Sequence, residues 1–224
     1  MIKYVLIDVD DTIIDFHKSS EDSLRKMFAL KGYPFKDDTM EIFHRVNWPL
    51  WKQVTEGKMT VKELRLIRFN EVFKALGIEG DGVEFENMYK DYLAQTAFLM
   101  PNAEKLLKYL KSKYKVYAAS NAHYDQQYNR LKLAGVLELF DGIFTSYEIG
   151  FEKPKAEFFD YCLKELGNPE KSEVIMIGDN LMADIEGAKN DGISGIWYNF
   201  RERSGNEKIA DYTVKDLGEI INIL

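Results

Sequence analysis

The chain has 224 residues, 46% of them hydrophobic, with 30 Lys and Arg against 37 Asp and Glu and a formal net charge of −7. That length and apolar share allow one large domain, or a core with a smaller insert, and exclude an intrinsically disordered chain. The negative field argues against a nucleic-acid polymer as partner, though not against one small anion held in a local positive pocket. The single cysteine, Cys162, permits no internal disulfide and lies among Phe158, Phe159, Leu163 and Leu166, which reads as a buried structural thiol. The apolar start, Ile2 to Ile7, is too short for a signal-peptide core and is stopped by Asp8. No run approaches the roughly 18 apolar residues of a membrane span. A soluble, cytoplasmic protein that is no membrane partner, and is a monomer or homodimer, is the expectation.

In chain order, Tyr4–Ile7 is a short apolar run ending in turn residues and predicts a buried strand. From Asp15 to Met100 only helical signals follow. Leu24, Met27 and Phe28 set a helical face in Ser20–Leu30, stopped at Gly32. Thr60–Leu76 opens with the capping box Thr60 and Glu63 and closes at Gly77. Asn102–Lys111 is the next helix, with Asn102 as its N-cap, and leads into the strand Val116–Ala119. The strand Gly142–Phe144, the helix Glu157–Leu166, the strand Val174–Ile177, the helix Asp184–Asn190 and the strand Gly195–Trp197 complete the alternation. Such alternation implies right-handed crossovers and a parallel sheet covered on both faces. The fold class is therefore α/β, a Rossmann-like parallel sheet core formed by residues 1–15 and 98–224, with residues 16–97 inserted as an α-helical domain.

The polar residues fall at the strand ends. The first strand runs into "DVDDT", which sets Asp8 directly at its end and Asp10 two residues on. Ligands of open parallel sheets bind beyond the carboxyl ends of the strands. A divalent cation such as Mg²⁺ resolves the mutual repulsion of the carboxylates. One carboxylate is then placed to attack phosphorus and the other to move protons. Asp11 and Asp15 read as turn and cap residues. The second strand ends in Ser120-Asn121, where a hydroxyl and a following backbone N–H suit a phosphoryl oxygen. After the third strand comes Lys153 before Pro154, a cation to offset a carboxylate and a phosphate. After the fourth come Asp179 behind Gly178 and Asp184 at a helix start. Each signal alone is common; their agreement in order, strand position and chemistry carries the case.

With these residues in place, the sequence resembles the haloacid dehalogenase-like (HAD) hydrolase superfamily. "DVDDT" is similar to its first motif, Ser120 to its second, Lys153 to its third and "GDNLMAD" to its fourth, across Ile2 to about Trp197. The resemblance implies that the insert is a helical cap. It also implies that Asp8 is the nucleophile forming an aspartyl-phosphate and that Asp10 is the acid and then the base. Ser120 and Asn121 would bind phosphate and Lys153 would balance charge. Mg²⁺ would be held by Asp8, the backbone carbonyl of Asp10 and Asp179, with Asp184 in support. Members that cleave carbon–halogen bonds lack, as a rule, an acid two residues after the nucleophile, so Asp10 points to a phosphatase. A phosphomutase shares both aspartates, but the insert does not resemble the sugar-phosphate mutase cap.

The stretch Val46–Phe73 is similar to the cap of bacterial pyrimidine 5'-nucleotidases in Asn47-x-x-Leu50-Trp51, Glu56-Gly57-Lys58 and Arg68-Phe69. It implies a small phosphate ester, a nucleoside 5'-monophosphate, as substrate. The alternatives are a phosphatase of sugar phosphates, phosphoglycolate or another small metabolite, and a non-catalytic binding protein. A base needs a flat apolar surface, for which Phe16 and Trp51 are the first candidates, with Trp48 and His17 behind them. Asn47 and Arg68 read as structural. His44 and His123 share no metal-ligand spacing, which argues against zinc.

Overall fold

The computed structural model describes residues 1–224. Six strands form one parallel sheet: β1 (Tyr4–Ile7), β2 (Lys115–Ser120), β3 (Gly142–Thr145), β4 (Val174–Gly178), β5 (Ser194–Tyr198) and β6 (Tyr212–Val214). Their order is β3-β2-β1-β4-β5-β6. The chain builds outward from β1 to β3, then crosses back to β4 beside β1 and builds the other way. The order therefore reverses between β1 and β4, and the crevice at their carboxyl ends is where such sheets bind ligands. Tyr4 pairs with Lys115 on one side and Val174 on the other, which brings Ile7 level with Ala118 and Ile177.

Two compact units divide the chain, Met1–Phe16 with Ala97–Leu224, and His17–Thr96. In the first unit alternate strand residues serve opposite faces, as a period of two demands. Val5, Ile7, Val116, Ala118, Ile175, Ile177 and Ile196 share a core with Leu106, Leu107 and Leu110. Leu6, Ala119, Val174 and Met176 share another with Phe158, Phe159 and Cys162.

The helical unit holds α1 (Phe16–Lys31, which starts at the unit boundary), α2 (Thr39–Thr55), α3 (Val61–Leu76) and α4 (Gly82–Leu93). Thr60 and Glu63 form the capping box at the head of α3, and Gly77 closes it at φ +67°, where a side chain would be strained. Phe85 sits at the centre of the unit, edge-on to Phe28, Phe69 and Phe73 at ring-centroid distances of 5.6, 5.0 and 4.9 Å. Edge-to-face contacts of this kind add to burial through the ring quadrupoles.

The α/β unit carries α5 (Ala103–Lys113), α6 (Tyr124–Leu133), α7 (Ser146–Ile149), α8 (Ala156–Glu165) and α9 (Gly187–Asn190), the last preceded by a π-helical segment, Leu181–Glu186. Two expectations need correction here. Asn102 stands at the head of α5, but makes no side-chain cap bond and turns its amide to Asp216. The predicted helix Asp184–Asn190 begins earlier and as a π turn, capped by Asn180, whose side chain accepts from the N–H groups of Met182 and Ala183.

Candidate active site

The segment after β1 coils tightly: the N–H groups of Thr12, Ile13 and Ile14 all point to the carbonyl of Val9. Asp11 takes a left-handed conformation at φ +60°, which a short polar side chain tolerates best after glycine. The turn leaves Asp8 at the end of the central strand, its N–H bonded to Ile177 O of β4. Thr12 then ties the two strand ends together. Its hydroxyl donates to Asp8 Oδ2 at 3.2 Å and accepts from the N–H of Asp179 at 3.1 Å.

Lys153 is the centre of the cluster and is 1% exposed. Its Nζ donates to Asp8 Oδ1 at 2.8 Å, Asp184 Oδ1 at 2.6 Å and Ala119 O at 2.6 Å, which uses all three ammonium hydrogens. Burial opposes the charge, but Asp184 and Asp8 outweigh it and hold the ammonium above its usual range. Asn121 pins the segment in place, accepting from Lys153 N–H and donating to Lys153 O, both at 2.9 Å. Its side chain thus serves the lysine.

The carboxylate oxygens of Asp8, Asp179 and Asp184 lie within 4.8 Å of one another, and all three residues are buried. Burial is the largest influence on Asp8; Lys153 pulls the other way, the charges of Asp184 and Asp10 add to burial, and the carboxyl is pushed up to about 7. Burial and then the charge of Asp11 push Asp179 well above the usual carboxylate range, against the pull of Arg203. Hard carboxylate oxygens gathered against their own repulsion, with one buried lysine among them, fit a small divalent cation such as Mg²⁺. Gly178 is needed for this approach: a Cβ there would come within 2.2 Å of Asp184 Oδ2.

Asp10 faces elsewhere. Gln127 Nε2 donates to its Oδ2 at 2.7 Å, and Arg130 Nη1 pairs with its Oδ1. The same Gln127 Nε2 donates to Ser120 Oγ at 2.8 Å. Asp10, Ser120 and the Lys153 cluster are therefore gathered at the carboxyl ends of β1, β2 and β4.

Sequence reasoning missed Thr12, Gln127, Arg130, Arg201 and Arg203. Arg201 Nη2 reaches Asp11 Oδ2 at 2.9 Å, and Arg203 Nη1 reaches Asp179 Oδ2 at 3.0 Å. Trp197 Nε1 donates to the carbonyl of Asp179 at 2.9 Å. The signal for Thr12 was present in "DVDDT"; the signal for Gln127 and Arg130 was their i, i+3 spacing just past Ser120.

Among the substrate candidates, Phe16 lies at the head of α1, its N–H bonded to Asp11 Oδ1 at 3.1 Å. Trp51 is half-buried and packs on the Leu50, Val54 and Leu64 cluster. Trp48 is 49% exposed and stacks on His44, which in turn stacks on His17. Arg68 is buried with Glu86 and Asn47.

A model of the haloacid dehalogenase-like hydrolase family matches residues 2–192. This chain belongs to that family. The HAD-hydrolase YfnB of Bacillus subtilis is 33% identical over 221 residues, covering 98% of this chain and 94% of the relative. Its crystal structure with bound magnesium superposes at a TM-score of 0.94 and 32% identity, over 100% of this chain and 98% of that one. The pyrimidine 5'-nucleotidase PynA of Streptococcus pneumoniae is 33% identical over 198 residues, 88% of this chain and 84% of the relative. The pyrimidine 5'-nucleotidase YjjG of Escherichia coli is 30% identical over 222 residues, 99% and 97%. The chain is thus a hydrolase of the HAD family with an α/β parallel-sheet fold. No helix in it is long and apolar enough to cross a membrane.

Proposed function

We propose that this protein is a Mg²⁺-dependent phosphate monoester hydrolase that works through an aspartyl-phosphate, and that its substrate is a pyrimidine nucleoside 5'-monophosphate. The observation that supports the reaction class is that Asp8 and Asp10 are held by separate partners. Lys153 holds Asp8, while Gln127 and Arg130 hold Asp10 separately. An alkoxide leaving group needs a proton and a halide does not, so a second positioned carboxyl supports ester cleavage. The base preference rests on relatives named pyrimidine 5'-nucleotidases over most of the chain's length.

In this reading Asp8 attacks phosphorus, and the bond to the ester oxygen breaks as that oxygen takes a proton from Asp10. Water then attacks the aspartyl-phosphate and gives its proton to Asp10, releasing phosphate and restoring Asp8. Ser120 Oγ and the N–H of Asn121 hold phosphoryl oxygens, and Lys153 offsets their charge. Asp8, Asp179 and the Asp10 carbonyl, with Asp184 alongside, would hold Mg²⁺, which would supply positive charge to the phosphoryl group. Residues 16–97 serve as the cap that selects the substrate.

The test is phosphate release, with Mg²⁺, from UMP, dUMP, dTMP, purine monophosphates, sugar phosphates and phosphoglycolate. Faster turnover of the pyrimidine nucleotides is expected, and Asp8→Asn should lose about a thousandfold or more in kcat while folding normally. Preference for a sugar phosphate would discard the nucleotidase assignment and keep the phosphatase one. Near wild-type release by Asp8→Asn would remove Asp8 as the nucleophile and, with it, the aspartyl-phosphate route.

A further inference from the structure

The polar face of α6 is buried where an amphipathic helix would carry apolar residues. Gln127 and Arg130 are both 0% exposed, three residues apart on one helix face. A buried guanidinium and amide are costly unless their hydrogen bonds are met. Here they are spent on two groups of the candidate active site. Gln127 has two amide hydrogens on Nε2, one directed at Ser120 Oγ and one at Asp10 Oδ2. Its Oε1 accepts from Arg130 Nη1 at 3.3 Å, and the same Nη1 pairs with Asp10 Oδ1. Each Asp10 oxygen therefore has its own donor.

We infer that Gln127 and Arg130 are positioning residues for catalysis: together they fix the Asp10 carboxyl for proton transfer, and Gln127 also orients the Ser120 hydroxyl toward phosphate. This rests on the proposed role of Asp10 as acid and base. Because Ser120 Oγ accepts from Gln127, the hydroxyl hydrogen is left to donate to a phosphoryl oxygen. Because a carboxyl freed to rotate seldom meets the leaving oxygen in line, losing either donor should slow proton transfer more than substrate binding. A purely structural role for the pair would lower stability but treat all substrates alike.

Leaving-group dependence separates the two. kcat/KM reports the steps through phosphorylation of Asp8, in which the ester oxygen departs. UMP loses an alkoxide that needs a proton; p-nitrophenyl phosphate loses a stabilised phenolate that does not. Arg130→Met should lower kcat/KM for UMP about 100-fold, the lower end of general acid catalysis, and for p-nitrophenyl phosphate less than about 5-fold. Gln127→Leu should show the same asymmetry and also weaken inhibition by inorganic phosphate, which Arg130→Met should leave alone. Arg130→Lys, which keeps a cation for one Asp10 oxygen, should recover part of the UMP loss and keeps the test alive if Arg130→Met does not fold. Asp10→Asn is the reference. If it is leaving-group dependent while Arg130→Met, Arg130→Lys and Gln127→Leu slow both substrates equally, the positioning role is overturned and the role of Asp10 stands. If Asp10→Asn itself shows no such dependence, the acid assignment falls and the positioning role falls with it.

Discussion

Arg68 in the helical unit and Lys153 in the α/β unit are both buried cations, 5% and 1% exposed, in unlike surroundings. Arg68 meets one carboxylate, Glu86, through Nε at 2.9 Å and Nη2 at 2.5 Å, and the neutral oxygen of Asn47 at 3.0 Å. Its guanidinium also lies 4.9 Å from the ring centroid of Tyr89. That set is neutral. Lys153 meets Asp8 and Asp184, and Asp179 lies within the same cluster, so carboxylates outnumber the interior cation. A charge set that serves packing is closed on itself. One left with carboxylates in excess is not closed on itself, and the proposed function fills it with a cation and a phosphate.

The closed set breaks hardest. Removing one member of a buried ion pair strands the other, at a cost of about 3–5 kcal/mol. Arg68→Ala should lose that much stability in urea unfolding. The double variant Arg68→Met, Glu86→Leu should regain most of it, because apolar groups of similar volume replace a buried pair at little cost. A loss no smaller in the double variant would show that cavity formation, not the stranded carboxylate, dominates.

The open set should behave in the opposite sense. Burial and the neighbouring charge of Asp11 disfavour the anionic form of Asp179. Asp179→Asn therefore removes an electrostatic cost, and its melting temperature in EDTA should exceed that of the wild type. With Mg²⁺ at a hundred times its dissociation constant, the wild type should gain about 2.7 kcal/mol. The variant should gain little. An equal Mg²⁺ shift in both proteins would remove Asp179 from the ligand set.

What was legible in the sequence divides along the same line. Strands β1 to β5 announced themselves as short apolar runs; β1, β4 and β5 are buried on both faces and have no polar side to show, while the edge strand β3 was marked by Ile143 and Phe144 alone. The carboxylates at their ends stood out because nothing in a core explains them. β6 stayed hidden: it is a three-residue edge strand in which only Val214 is buried. α6 stayed hidden for a chemical reason. Its inward residues include Gln126, Gln127 and Arg130, so the apolar stripe that marks a packed helix is mostly missing. Asp184 was legible only as a residue at a helix start; the π turn that returns it to Lys153, past a Gly178 with no side chain to block it, is not encoded by spacing. In the helical unit, Arg68 read as structural and lies on Glu86, while Trp51, a candidate base surface, packs one side on an apolar cluster.

The smallest effect belongs to a pair that carries no charge. Ser20 Oγ and the Tyr89 hydroxyl are 2.8 Å apart, both buried in the helical unit. A neutral hydrogen bond exchanged against water contributes about 1 kcal/mol. Ser20→Ala should cost about that much, and a double-mutant cycle with Tyr89→Phe should give a coupling energy of similar size. Neither variant should move the Mg²⁺ dependence of melting, because no group of the carboxylate cluster is touched. A coupling several times larger would mean that the hydroxyl pair acts through the Arg68 guanidinium beside the Tyr89 ring, and that polar order in the helical unit is one network. A coupling near 1 kcal/mol would mean that the hydroxyl pair and the Arg68 set act independently, although Tyr89 touches both.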